Sequence, residues 1–189
     1  MPQIKLTLKK NLFNQTLFPL LFDYSHRFEF YKGSAGSGKS YFITQKLIIR
    51  ACKEPIKILV CRRYGTTIRN TCFALFKEIL TKWQLLPYVK IRESDFNIKF
   101  NNGSEIIFTG LDEETKLLSL NNISCIFIEE VYEISKDILE QLSLRMRGRR
   151  GHGHNRRDGR SDRQDHSRGR IRQANSVEPG GYAGQASKP

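Results

Sequence analysis

The sequence has no Cys-x-x-Cys pair and no Cys/His cluster at metal-ligand spacing, which argues against a structural zinc site. Its four cysteines, Cys52, Cys61, Cys72 and Cys125, each sit in or beside an apolar stretch. That reads as buried, reduced thiols in a cytoplasmic protein. No apolar run reaches the roughly 18–20 residues that a membrane span needs. Leu12–Phe22 follows Lys9 and Lys10 but is broken by Asn14, Gln15, Pro19 and Asp23 and lacks a small-residue cleavage site, so it reads as core and not as a leader. His26 stands beside no evident partner and reads as structural. Large apolar residues are scarce after Gly148, where only Ile171, Val177 and Tyr182 remain.

What is present divides the 189 residues unevenly. The net charge is +13; the last 41 residues hold ten basic against four acidic side chains, leaving +7 for residues 1–148. A folded part that is basic in its own right suits an anionic partner. The tail, residues 149–189, is rich in Arg and Gly, without periodicity, and cannot bury enough surface to offset its ordering entropy. It is expected to be disordered, and its abrupt onset after a helical pattern suggests a frameshift or truncated gene.

Strand and helix signals alternate through residues 1–148. Arg27–Lys32 reads as a strand entering the glycine-rich turn Gly33–Gly38, and a helix starts near Lys39 and is stopped by Pro55. The run Ile56–Cys61 reads as a parallel strand covered on both faces. Thr66–Trp83 is amphipathic at helical spacing. Phe96, Ile98 and Phe100 alternate before Asn101-Asn102-Gly103, and Glu105–Phe108 returns, a hairpin signal. Glu113–Ser119 is a short helix or loop, Ser124–Ile128 another buried strand, and Ser135 a plausible N-cap for a helix reaching about Met146. The fold class is α/β: a P-loop NTPase with a mostly parallel sheet flanked by helices, incomplete at its carboxy-terminal end.

Gly33-Ser34-Ala35-Gly36-Ser37-Gly38-Lys39-Ser40 satisfies G-x-x-x-x-G-K-[ST] in full. Backbone N–H groups must converge on phosphate oxygens, which requires residues without a Cβ at the tight positions. Lys39 is expected at the β- and γ-phosphates of ATP, and the Ser40 hydroxyl on Mg²⁺, at a helix N-terminus whose dipole favours anions. The second candidate is the strand end Ile128-Glu129-Glu130. A strand that stops in acids delivers them to the carboxyl edge of the sheet, where the P-loop also lies. Glu129 is the metal candidate and Glu130 the residue that orients and activates water. Phosphoryl transfer also calls for an arginine. Arg62 and Arg63 follow the second strand at the same edge, and Arg145 and Arg147 flank the end of the last helix; such arginines are more often plain surface charge.

Taken in order, GSAGSGKS, ILVCRRYGTTIRNT, IIFTGLDEETKLLS, CIFIEEVYEIS and LSLRMRG resemble the amino-terminal ATPase domain of phage terminase large subunits, notably the PBSX-type family, over roughly Phe28–Gly148. The resemblance implies an ATP- and Mg²⁺-dependent motor that moves double-stranded phage DNA into a capsid. It further implies a ring of copies at the portal protein, with a small subunit as partner, in the cytoplasm of a bacterial host and away from any membrane. Lys39, Ser40, Glu129 and Glu130 match the family's phosphate, metal and catalytic positions, and Arg62 falls where the family commonly has an arginine. Many relatives carry an arginine inside the loop, where this chain has Ala35. The family continues past its LRMRG helix with a strand, a coupling motif and a nuclease, replaced here by the Arg/Gly tail; on that reading the chain lacks nuclease activity. Two alternatives stay open from the residues alone: an inactive fragment that only binds nucleotide or DNA, and a different, helicase-like P-loop ATPase.

Overall fold

The computed structural model describes residues 6–112 and 121–146. The expectations at Glu113–Ser119, at Arg147 and for the tail 149–189 fall outside the described residues.

Two short 3₁₀ turns, Lys10–Leu12 and Phe18–Leu20, precede helix α1, Lys39–Lys53. Strand β1 is Lys57–Arg62, followed by helix α2, Gly65–Ile68, a π-helical turn, Arg69–Phe73, and helix α3, Ala74–Lys82. Strands β2, Val89–Arg92, β3, Asn97–Phe100, β4, Glu105–Gly110, and β5, Cys125–Ile128, lead to helix α4, Lys136–Arg145. The sheet order is β2-β3-β4-β1-β5. β1 runs parallel to β4 and β5, and the β2–β3–β4 meander is antiparallel. The α/β class is as expected, with the parallel strands carrying the site and a three-stranded antiparallel wing beside them.

Local chemistry accounts for the boundaries. Pro55 cannot continue α1, whose last turn closes when the Glu54 amide donates to the Arg50 carbonyl at 3.2 Å. The hairpin tip then caps the same helix end. Asn102 Nδ2 donates to the Ala51 carbonyl at 2.8 Å, and Ser104 Oγ lies 2.7 and 2.8 Å from the Ala51 and Glu54 carbonyls. Gly103 supplies the left-handed turn residue at φ +93°. β1 is buried at its four central residues because α1 and α3 cover one face and α4 the other. Ile58, Val60, Ile98, Ile106 and Phe108 face α1 and α3, where Phe73 and Phe76 meet the Phe108 ring edge-on at 5.1 Å. Leu59 and Cys61 face Leu142 of α4.

Several expectations need correction. Among the described residues Arg27–Lys32 forms no ladder beyond a bridge at Phe30, and the Phe28 and Phe30 side chains are exposed. Side chains also tie the segment down. Lys46 Nζ donates to Glu29 Oε2 at 2.7 Å, and the Tyr31 hydroxyl donates to the same oxygen. β5 is half-buried and not buried, because among the described residues it is the edge strand, with one isolated bridge, Ile123–Met146, just before it. Leu12–Phe22 is core only in part. Phe13 and Leu21 pack on Phe42 and Ile49 of α1, whereas Leu12 and Phe22 point outward. His26 has a partner after all, its Nε2 lying 3.6 Å from Asp23 Oδ2. Ser135 is the N-cap of α4 by position, but its side chain makes no capping bond.

The cysteines are free thiols, three of them buried and Cys125 half-buried. Burial pushes Cys52 and Cys72 up to about 11 and Cys61 further still. Among the described residues no helix is long and apolar enough to cross a membrane.

Candidate functional site

The loop Gly33–Gly38 turns on two left-handed glycines, Gly36 at φ +75° and Gly38 at φ +78°, and Gly38 is the N-cap of α1. A side chain at Gly38 is disfavoured by backbone conformation; at Gly33 a Cβ would stand 3.1 Å from Ser37 Oγ. Lys39, the first residue of α1, folds back over the loop. Its Nζ donates to the carbonyls of Gly33 at 2.7 Å and Ser34 at 2.8 Å and to Ser37 Oγ at 3.0 Å. The ammonium is thus held over the loop mouth by acceptors that phosphate oxygens can replace one for one.

Ser40 points toward the sheet, and its hydroxyl donates to Glu129 Oε1 at 2.7 Å. The contact arises because β1 and β5 are parallel neighbours. The ladder runs one step past β5, with the Glu129 amide donating to the Cys61 carbonyl at 2.9 Å, and so carries Glu129 to the carboxyl edge beside Arg62. The chain then reverses at Glu130, a non-glycine residue at φ +55°. That conformation is uncommon for a residue with a Cβ and marks a constrained turn. It aims the Glu130 carboxylate at Arg62 Nη2, with which it forms an ion pair.

Arg62 is therefore no solvated surface charge: its side chain is 17% exposed and committed to Glu130. Burial alone would lower its pKa, but the hydrogen bond and the charge of Glu130 outweigh that and hold it above its ordinary value. Arg63 takes a separate course, donating from Nη1 to the Glu133 carbonyl at 2.5 Å and stacking 5.2 Å from the Tyr64 ring centroid. Arg145 ends α4. Ser40, Thr44, Arg62, Thr71, Glu129 and Glu130 wall a cavity of about 200 Å³ between α1, the π turn and the sheet edge.

The Phe108-x-Gly110-x-Asp112 stretch has a structural role that spacing alone does not disclose. The Leu111 amide donates to the carbonyls of Arg62 at 2.9 Å and Arg63 at 3.2 Å. The Gly65 amide, at the start of α2, donates to Asp112 Oδ1 and Oδ2 at 3.2 and 3.3 Å. Gly110 lies so close that a Cβ there would come 2.3 Å from the Gly65 nitrogen. The exit of β4 thus clamps the loop that carries Arg62. The signal in the sequence is a glycine that ends a strand and a short acid two residues later, opposite a second glycine that opens a helix.

Over residues 25–158 the chain matches the family model described as phage terminase large subunit. The chain belongs to the phage terminase large subunit family. Among terminase relatives it is 36% identical over 127 residues to the PBSX phage terminase large subunit of Bacillus subtilis (strain 168), covering 67% of this chain and 29% of the relative. It is 29% identical over 118 residues to the terminase large subunit of Bacillus phage SPP1, covering 60% of this chain and 28% of that one. The chain thus spans less than a third of the length of these relatives. The fold matches the large terminase of a thermophilic bacteriophage at a TM-score of 0.60 with 14% identity, covering 71% of this chain and 36% of that one. The ADP complex of the same phage terminase gives a TM-score of 0.55.

Ser40 and Glu129 offer a hydroxyl and a carboxylate oxygen side by side. That donor set fits Mg²⁺, a hard cation usually held by one or two carboxylates together with phosphates and water.

Proposed function

We propose that this domain binds Mg-ATP in the Gly33–Ser40 loop and hydrolyses it as the motor portion of a phage terminase large subunit, coupling turnover to movement of double-stranded DNA. The observation that carries the reading is the 2.7 Å bond between Ser40 and Glu129, with the Arg62–Glu130 pair beside it. Two motifs far apart in the chain meet at one sheet edge, which supports a phosphoryl-transfer reading. Solved forms of the thermophilic phage terminase with ADP and with ATP-γ-S support nucleotide as the ligand. The relatives and structural neighbours named above are all terminases, which favours the packaging motor over a helicase-like ATPase.

In this reading Lys39 leaves the loop carbonyls and contacts the β- and γ-phosphates, while the loop amides hold the remaining oxygens. Ser40 and Glu129 would hold Mg²⁺, which neutralises charge on the phosphates when bound with the nucleotide. Glu130 orients the attacking water and accepts its proton. Arg62 is better read as the residue that holds Glu130 than as a finger on the phosphates, since its guanidinium is already engaged. Phage DNA, a small subunit, a portal protein and further copies of the chain are the partners that family membership suggests for the whole subunit.

The test is calorimetric titration with Mg-ATP together with phosphate release. Wild type and Glu130→Gln are expected to bind alike, with release lost in the variant and binding lost in Lys39→Ala. Equal release by wild type and Glu130→Gln would remove Glu130 from its role, and Mg-ATP binding by Lys39→Ala at wild-type affinity would remove the loop from its own.

A further inference from the structure

The antiparallel wing presents a row of charge that the nucleotide site does not use. Register across β2, β3, β4 and β1 sets Lys90 opposite Lys99, Lys99 opposite Glu105, and Glu105 opposite Lys57. All four side chains stand on the face away from α1 and α3. The next row on this face begins with Arg92 and Asn97 and becomes apolar at Ile107 and Leu59, where α4 takes over. At an interstrand spacing of about 4.8 Å the basic row spans roughly 14 Å.

One carboxylate serves this row. Glu105 Oε1 accepts from Asn97 Nδ2 at 2.8 Å and lies 3.3 Å from Lys99 Nζ, and its Oε2 lies 3.5 Å from Lys57 Nζ. Lys90 makes no ion pair among the described residues and faces Lys99 across the ladder, and both are exposed. Like charges placed directly opposite in a sheet are destabilising. A structural sheet has no use for that pairing, whereas an anionic partner reverses its sign.

We propose that this outer face of the β2–β3–β4 wing, through Lys90, Arg92 and Lys99, docks the phosphate backbone of duplex DNA. Neither row contains an aromatic platform on which unpaired bases would stack, which disfavours single strands. The basic row contains no apolar anchor of the kind that dominates protein interfaces, which disfavours an acidic protein surface. What remains is binding through charge alone, which suits a polyanion of dense, regular charge. The inference rests on the packaging-motor reading for the biological source of the DNA, but not for the site.

The experiment uses the full chain and a labelled duplex of about 30 base pairs, followed by fluorescence anisotropy through a salt titration, with Mg-ATP binding measured on the same samples. Combined Lys90→Gln, Arg92→Gln and Lys99→Gln is expected to weaken duplex binding about tenfold at ~0.1 M salt and to reduce the log–log salt slope by about 2–3, near 0.9 for each phosphate no longer neutralised. A control of equal charge on the opposite side, Arg69→Gln, Lys77→Gln and Lys82→Gln, is expected to change affinity less than about twofold. Equal losses from both triple variants would mean that net charge and not this face binds the duplex, and would overturn the proposal. So would an unchanged slope in the first variant. Single Lys90→Gln is expected to raise the melting temperature by relieving the pair; a fall would remove the premise. Loss of Mg-ATP binding in wild type would count against the motor reading and leave the docking result to stand separately.

Discussion

Arg62 and Glu130 close an ion pair across the mouth between neighbouring parallel strands, and the glutamate adopts a left-handed backbone conformation to make it. Each therefore acts through the other. Glu130→Gln is expected to lower the rate of ATP hydrolysis by about 10²–10⁴-fold with little change in nucleotide affinity. Arg62→Ala is expected to lower it as well, and the double variant to be no slower than Glu130→Gln alone, because residues acting as a unit are not additive. A double-mutant cycle on phosphate-release rates checks this; independent, multiplying losses would mean that Arg62 works on the phosphates directly.

Lys39 bonds two loop carbonyls and the Ser37 hydroxyl, but all three bonds are exposed to water, so its removal costs the free protein little. Lys39→Ala is expected to shift the unfolding midpoint slightly in the absence of nucleotide. Wild type at a hundredfold excess of Mg-ATP over its dissociation constant gains about 2.7 kcal/mol, and the variant is expected to gain almost none. Thermal unfolding with and without Mg-ATP reads both.

Gly110→Ala places a methyl group 2.1 Å from Asp112 Oδ1 and 2.3 Å from the Gly65 nitrogen. Backbone on one side and a tethered carboxylate on the other leave little room to yield, and overpacking of this kind is expected to cost about 1–3 kcal/mol in urea unfolding. Asp112→Ala removes the acceptor at the start of α2 and is expected to cost about 1 kcal/mol, in the range of a lost helix cap. Gly110→Ala as stable as wild type would contradict the clamp.

Glu105 is subject to opposing influences: partial burial would raise its pKa, but the hydrogen bonds from Asn97 and Lys99 and the charges of Lys57 and Lys99 win and hold it below the ordinary glutamate value. A depressed carboxylate pKa stabilises the fold above the unfolded value, about 4.3, and that contribution disappears as pH falls through the lower folded value. Glu105→Gln is therefore expected to be less stable than wild type near neutrality and to lose less stability below about pH 4. Melting temperatures across a pH series decide it, and parallel acid limbs would count against the assignment.

Much of this was legible in the residues. Pro55 marked the end of α1, the unbroken Ile56–Cys61 run marked the central strand, and Asn102-Gly103 marked the hairpin, because each rests on local backbone chemistry. The loop Gly33–Ser40 and the paired acids were legible for the same reason. β2 was not, since four residues with two apolar positions give too short an alternation to stand out. The strand expected at Arg27–Lys32 has suitable residues but, among the described residues, pairs at Phe30 alone, and pairing is a property of the sheet and not of the segment. The pairs Arg62–Glu130 and Gly65–Asp112 join positions 68 and 47 residues apart, and no spacing rule reaches that far.

The π turn at Arg69–Phe73 makes helix length itself a functional variable. A π turn holds one residue more than an α turn, and each α residue advances the chain by about 100°. Ile68 before the turn and Phe76 after it face the same core because the wider turn absorbs that extra residue. Deleting a single codon within the turn would preserve the reading frame and restore an unbroken α-helix with α2 and α3 still in phase, whereas tightening the turn to α geometry with every residue kept would swing α2 by about 100° relative to α3. In the second case the loop holding Arg62 would be rotated away from Glu130 without any change in the residues that form the site. Along this stretch the count of amino acids carries information that their identities do not.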